Sequence, residues 1–194
     1  MKSMRRKSRT IAFLAALSAV SLFGAEWKID PAHSAAQFAV KHMMVSTVRG
    51  HFGKMSGVVH WDPDQPAAGK VTAEVDAASI DTRNGKRDDH LRSPDFFDVT
   101  KFPTITFEST KFAPGKLTGN LTIHGVTREV TFDVEGPAPP IQTKGGMRTG
   151  ASATTTISRK DFGMTWNRVI EAGGVTVGDE VTLTIDIEMI SPAQ

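Results

Sequence analysis

The sequence predicts an all-β fold: an antiparallel sheet of about eight strands, closed or nearly closed into a barrel, with a short helical insertion around residues 84–98. Three observations predict it. Several stretches after residue 26 alternate apolar and polar residues with a period of two, the mark of a strand with one buried face. The connections between them are short and rich in glycine and proline, as hairpin connections are. Small inward positions such as Ala36 and Ala73 are mixed with phenylalanines and methionines. That mixture suits a barrel interior better than a sandwich, the runner-up.

The chain divides into an export segment, residues 1–25, and one domain, residues 26–194. Lys2, Arg5, Arg6, Lys7 and Arg9 form a basic start, and Ile11 to Phe23 is an apolar run broken only by Ser18 and Ser21. Gly24 and Ala25 then precede polar residues. This is the layout of a secretory signal, and the run is too short for an ordinary membrane span. Cleavage is expected near Gly24 or Ala25. Arg5-Arg6 lacks the continuation of a twin-arginine signal, so the general secretory route is expected. Five of the 23 basic residues and none of the 21 acidic ones precede residue 26, which leaves 18 against 21 and a net charge of −3. A domain of that charge offers no electrostatic case for nucleic acid. Cysteine is absent, which excludes disulfides and thiolate chemistry and fits a bacterial periplasm better than a eukaryotic secreted domain.

In order, Trp27 to Pro31 reads as a short strand ending in a turn. His33 to Lys41 is a half-buried strand with Ala36, Phe38 and Val40 on one face. His42 to Ser46 breaks the alternation and is expected to form a helical turn. Val48 to Trp61 is strand-like, with Gly50, Gly53 and Gly57 marking bends. A turn follows at 62–66, then a strand at Lys70 to Asp76. The insertion is dense in charge, with Asn84 placed to cap a helix through Leu91. Ser93 is placed to cap a second turn, with Pro94 at its first position. Thr104 to Phe112 turns Ile105 and Phe107 inward. Leu117 to His124 and Arg128 to Glu135 form a hairpin about Gly125. Gly136 to Gly146 holds three prolines and three glycines and reads as a loop. Arg148 to Ser158 is threonine-rich and small on both faces, and Asp161 to Trp166 and Glu171 to Gly178 are irregular. Glu180 to Ile190 alternates most clearly, with Val181, Leu183, Ile185, Ile187 and Met189 inward.

No catalytic or metal-binding constellation emerges. The six histidines lie on different elements and form no close ligand pair. Asp88, Asp89 and His90 are adjacent on a helix, so they do not face one another, and no nucleophile lies near. No G-x-S-x-G elbow or phosphate-binding loop is present. Large apolar residues in irregular segments (Phe96, Phe97, Met43, Met44, Met164 and Trp166) either line a pocket mouth or plug the barrel ends.

The run Arg87-Asp88-x-His90-Leu91-x-Ser93-x-Asp95-Phe96-Phe97-Asp98, followed by Phe102-Pro103, resembles the signature of the YceI-like family of bacterial periplasmic proteins. The resemblance extends along the domain. Asp30, His33, Ser34 and Phe38 match its start, and Gly50, Phe52 and Gly57 the second strand. Ser79, Ile80 and Thr82 match before the helix, Gly119 to Thr127 the central hairpin, and Arg159, Asp161, Phe162 and Gly163 the later segment. Trp27 and Phe102 depart from it, standing where tyrosine is common. The resemblance implies a lipocalin-like barrel with a long apolar channel. It also implies a ligand such as an isoprenoid quinone, a prenyl pyrophosphate or a related amphiphile. On that reading Phe38, Phe107, Ile123, Phe132, Ile185 and Ile187 line the channel. Phe96, Phe97, Met44, Met164 and Trp166 stand at its ends, and Arg83, Arg87 and His90 are candidates for a charged head group. The expected function is a periplasmic carrier of an isoprenoid lipid, not an enzyme, without a cofactor and exchanging its ligand transiently with a membrane. Two rivals stay open: an enzyme acting on a bound lipid, and a stress-response protein whose barrel is filled by its own side chains. A homodimer also stays open.

Overall fold

The computed structural model describes residues 25–62, 64–170 and 173–191. Residues 1–24 of the predicted export segment 1–25 lie outside the described residues, as does part of the irregular stretch at 171–172. Among the described residues, twelve strand segments are present: β1 (Ala25–Ile29), β2 (Ala35–His42), β3 (Ser46–Phe52), β4 (Met55–Trp61), β5 (Lys70–Asp76), β6 (Ile80–Asp81), β7 (Thr104–Ala113), β8 (Lys116–Ile123), β9 (Val126–Glu135), β10 (Ile141–Thr143), β11 (Gly146–Ser158) and β12 (Val177–Ser191). One helix, α1 (Gly85–Arg92), lies between β6 and β7.

Eight of the segments close an antiparallel barrel in the order β11-β9-β8-β7-β5-β4-β1-β12, and the β12–β11 pairing completes the ring. The other strands extend it. β12 is long enough to pair with β2 through its first half and with β1 near its end. β1 and β2 are thus one strand broken at 30–34, and β3 and β4, which pair with them, are one strand broken at Gly53-Lys54. Most of the barrel strands follow the alternation in the sequence. Along β12 the odd positions 181 to 189 face inward, joining one buried cluster or another.

Three local readings need correction. The segment after His42 is a β-hairpin tip, not a helical turn: His42 pairs with Ser46, and Met43 and Met44 take left-handed φ of 50° and 62°. The stretch around Ser93 forms the turn expected there, with the Phe96 N–H donating to the Ser93 carbonyl and the Asp95 N–H to the Ser93 hydroxyl. The proline-rich loop contains a short strand, β10, which pairs with the start of β11. In β7 the register shifts between Ser109 and Lys111. That extra residue flips the phase, so Phe112 joins Ile105 and Phe107 on the inner face. The β8–β9 turn is the tight one expected: His124 and Gly125 are both left-handed, φ 52° and 73°, the two-residue hairpin geometry that favours glycine.

The two barrel ends differ. At the helical end gather α1, the His124-Gly125 turn, the 3₁₀ turn Arg159–Phe162 and the irregular segment after it. Asn84 caps α1 by accepting the Arg87 N–H at 3.1 Å. Asp88 is buried and accepts from the Thr82 N–H and hydroxyl at 2.9 and 2.5 Å. Arg92 donates to the Ala78 and Ile80 carbonyls. The helix is therefore bolted to the barrel rim by polar bonds. It contributes little apolar surface of its own. At the opposite end lie the β4–β5 and β7–β8 turns and the start of β1.

Candidate ligand-binding channel

Between these ends runs an internal channel of about 160 Å³. From the helical end its wall begins with Phe52, Ile105, Leu121, Ile123 and Leu183. It continues through Ala36, Ala73, Phe107, Phe132, Ala153 and Ile185 and reaches Val59, Val71, Phe112, Leu117, Val134, Pro137, Ile187 and Met189 at the far end. Gln37, Thr106 and Ser152 also touch it. Each sits between two neighbours of the opposite facing, and the Gln37 and Ser152 side chains bond Asp186 instead. The inner surface is thus apolar throughout. The alternation of the strands causes most of this, since inward positions come mainly from the apolar half of a two-residue repeat; Phe112 and Pro137 are added by the β7 bulge and the loop before β10.

Five predicted wall residues, Phe107, Ile123, Phe132, Ile185 and Ile187, line this channel. Phe38 does not. It pairs with Gly50 across β2–β3, and its ring covers that glycine so closely that an added Cβ would lie 2.5 Å from it. The ring also meets Phe52 at 5.9 Å, one level above the channel. Residues that sequence reasoning missed include Phe52, Met55, Phe112 and Leu117. Phe52, Met55 and Phe112 were hidden by the β3–β4 break and the β7 bulge.

Of the predicted end residues, four gather at the helical end. Phe97 packs edge-on against Phe52 at 5.7 Å, and Met164 is buried with Leu121, Ile123, Ile157 and Phe162. Phe96 lies 5.3 Å from Trp166, and the His90 ring stands edge-on to both, at 5.1 and 4.8 Å. None of these reaches the channel wall; together they stopper it. Met44 is elsewhere, 64% exposed at the β2–β3 tip beside Met43 and Val45. The head-group candidates also lie outside the channel wall. Arg87 donates to the Thr82 hydroxyl and carbonyl at 2.7 and 2.8 Å. His90 pairs with Asp95 at 2.8 Å, and Arg83 is exposed in the turn before α1.

Two ionic clusters brace the outside of β12. Arg159, 3% exposed, donates to the carbonyls of Met164, Trp166, Val177 and Gly178 and to Asp179. Burial lowers its pKa, and Asp179 opposes that effect. Asp30, His33 and Glu188 bring ligand-type atoms within 4.8 Å of one another, but Arg148 bonds both carboxylates and already balances them. The hydrogen bond from His33, then that from the Ala32 N–H and Arg148, hold the Asp30 carboxyl down at about 2.

The sequence matches the profile of the YceI-like domain over residues 27–189. A UPF0312 protein of Staphylococcus aureus strain N315 is 40% identical over 160 residues, covering 82% of this chain and 94% of the relative. Among solved structures, BcnA of Burkholderia cenocepacia superposes with a TM-score of 0.70 at 28% identity, over 82% of this chain and 98% of that one. A Campylobacter jejuni YceI protein gives 0.65 at 34% identity, over 76% and 87%. A polyisoprenoid binding domain from Saccharophagus degradans, at 14% identity and a TM-score of 0.63 over 86% and 98%, shares the fold. Barrel, insertion signature and matched profile agree: the chain belongs to the YceI-like family.

Proposed function

We propose that this protein is an exported carrier that holds a long-chain isoprenoid lipid, or a related amphiphile, in its barrel. One observation carries the reading: a continuous internal channel whose inner surface is apolar from end to end. An apolar tail leaving water for such a wall gains about 0.8 kcal/mol per methylene before the entropic cost of ordering. The wall offers no acid, base or nucleophile, which favours binding over turnover. The fold neighbour described as a polyisoprenoid binding domain points the same way. The basic-then-apolar segment at residues 1–25 supports export to the periplasm, where such a lipid is loaded by transient contact with a membrane.

As it stands the channel is narrow. A dry cavity of about 150 Å³ takes one benzene ring, so a polyprenyl tail enters by swinging aside wall side chains such as Phe112, Met55 and Phe52. The test is gentle purification of the exported protein followed by native mass spectrometry. A co-purifying isoprenoid lipid, displaced by added isoprenoid quinone, is the expected result. Protein that leaves the cell lipid-free and binds no quinone would end the proposal.

A further inference from the structure

Among the described residues, Trp27 Nε1 is the one buried side-chain polar atom without a hydrogen-bond partner. A buried donor left unpaired costs about 1–3 kcal/mol, so its position is informative. Trp27 is 5% exposed and shares the inner face of β1 with Ile29, which lines the channel. It packs with Trp61, Val59, Val71, Ile187 and Met189, and the last four line the channel as well. Register places it at the far end, because Trp27 pairs with Val59 and Ala25 with Trp61, where β1 begins and β4 finishes. Neither indole is on the channel wall; the two, 6.5 Å apart and both buried, lie directly behind the lining residues of the far end. At a channel end a ring with an apolar body and one N–H is most useful.

The helical end offers no such group. Its guanidinium and imidazole groups at Arg87, Arg92 and His90 bond Thr82, Ala78, Ile80, Asp89 and Asp95, and aromatic rings stopper the channel below them. We infer that the polar end of a bound lipid rests at the Trp27–Trp61 end of the barrel, where the Trp27 indole N–H donates to a neutral ligand oxygen. The tail then runs toward Phe52 and the Phe97 stopper. A single neutral donor suits a quinone carbonyl or ether oxygen; a pyrophosphate needs several charged donors. This inference rests on the lipid-carrier reading and reverses the head-group placement that the sequence suggested.

The test compares two probes on wild type and on Trp27→Phe, which keeps an aromatic ring and removes the donor. One probe is a ubiquinone with a short prenyl tail; the other is squalene, which has no polar atom. Trp27→Phe is expected to weaken the quinone by about tenfold, the worth of one buried hydrogen bond, and to leave squalene unchanged. Unchanged squalene binding also shows that the variant is folded. Arg83→Ala is expected to change neither. Equal losses for both probes, no loss for the quinone, or a quinone-selective loss in Arg83→Ala overturns the assignment while leaving the carrier reading intact. Wild type that binds neither probe overturns the carrier reading itself.

Discussion

Arg159 shows how one residue secures a segment that has no regular structure. Its guanidinium reaches four carbonyls and Asp179, all within 163–179, and so adds to the sparse backbone pairing of this stretch, such as the Val169–Val175 bridge. Arg159→Ala should cost about 3–5 kcal/mol, because it strips the donor from the buried Met164 carbonyl and from three part-buried ones and leaves Asp179 without this partner. Arg159→Lys should recover little of it, since one ammonium cannot span a planar fork's acceptors. Urea unfolding midpoints of the three proteins check this. Asp30 gives a pH-dependent counterpart. Its folded pKa of about 2 lies below the ordinary 3.8, so its contribution is complete above pH 4 and disappears as pH falls toward 2. Wild type should exceed Asp30→Asn in urea midpoint at pH 6, and the two should converge near pH 2. A difference that persists at pH 2 would remove the carboxylate from the explanation. Neither role was legible in the sequence, where Arg159 and Asp30 stood only as matches to a family pattern. Their partners are distant in the chain or are backbone carbonyls, and no spacing rule reports them.

At the scale of elements, the strands were legible and the joints were not. Alternation along β12, β8 and β9 follows from burial of one face, so it survives in sequence and gives Ile123, Phe132, Ile185 and Ile187 their inward facing directly. The bulge in β7 and the break at Gly53 change phase within a strand, and Phe112 and Phe52 were lost with them. The left-handed pair Met43-Met44 closes a hairpin with two residues that rarely adopt that conformation, and so the turn was misjudged. The helical insertion was legible through the Asn84 cap, but its contacts decide what it closes. Phe97, in the turns after α1, is the stopper residue that meets the channel wall, edge-on to Phe52. Phe97→Ala should lower stability by up to about 3 kcal/mol, the lower end for phenylalanine because the ring is half-buried. It should also let the channel run further toward Met164 and shift the preferred ligand to a longer tail. Affinities for a series of quinones of increasing prenyl length measure that shift; an unchanged preference would mean that Phe97 does not set the depth.

For the whole molecule, the channel is a cost that the fold sustains without a disulfide. At about 24 cal/mol per Å³, an empty volume of about 160 Å³ forfeits about 4 kcal/mol of packing. That is a large share of the stability of a typical domain. A barrel under selection for stability alone would fill it, and an eight-stranded barrel is narrow enough for side chains to do so. This one places alanine at positions 36, 73, 151 and 153 on the inner wall. Ala153 is the informative position, opposite Ile185 and Val134 in register and midway along the channel. Ala153→Leu adds three carbons to the void. If the space is kept for a ligand, the variant should be more stable by about 1–2 kcal/mol and should lose lipid binding at least about tenfold, because the added branch occupies the tail's path. Calorimetry and quinone titration on the same preparation read both effects. A gain in stability with full binding would show that the tail takes another path. A loss of stability would show that the wall is already packed as tightly as it can be, and that the barrel is the side-chain-filled kind.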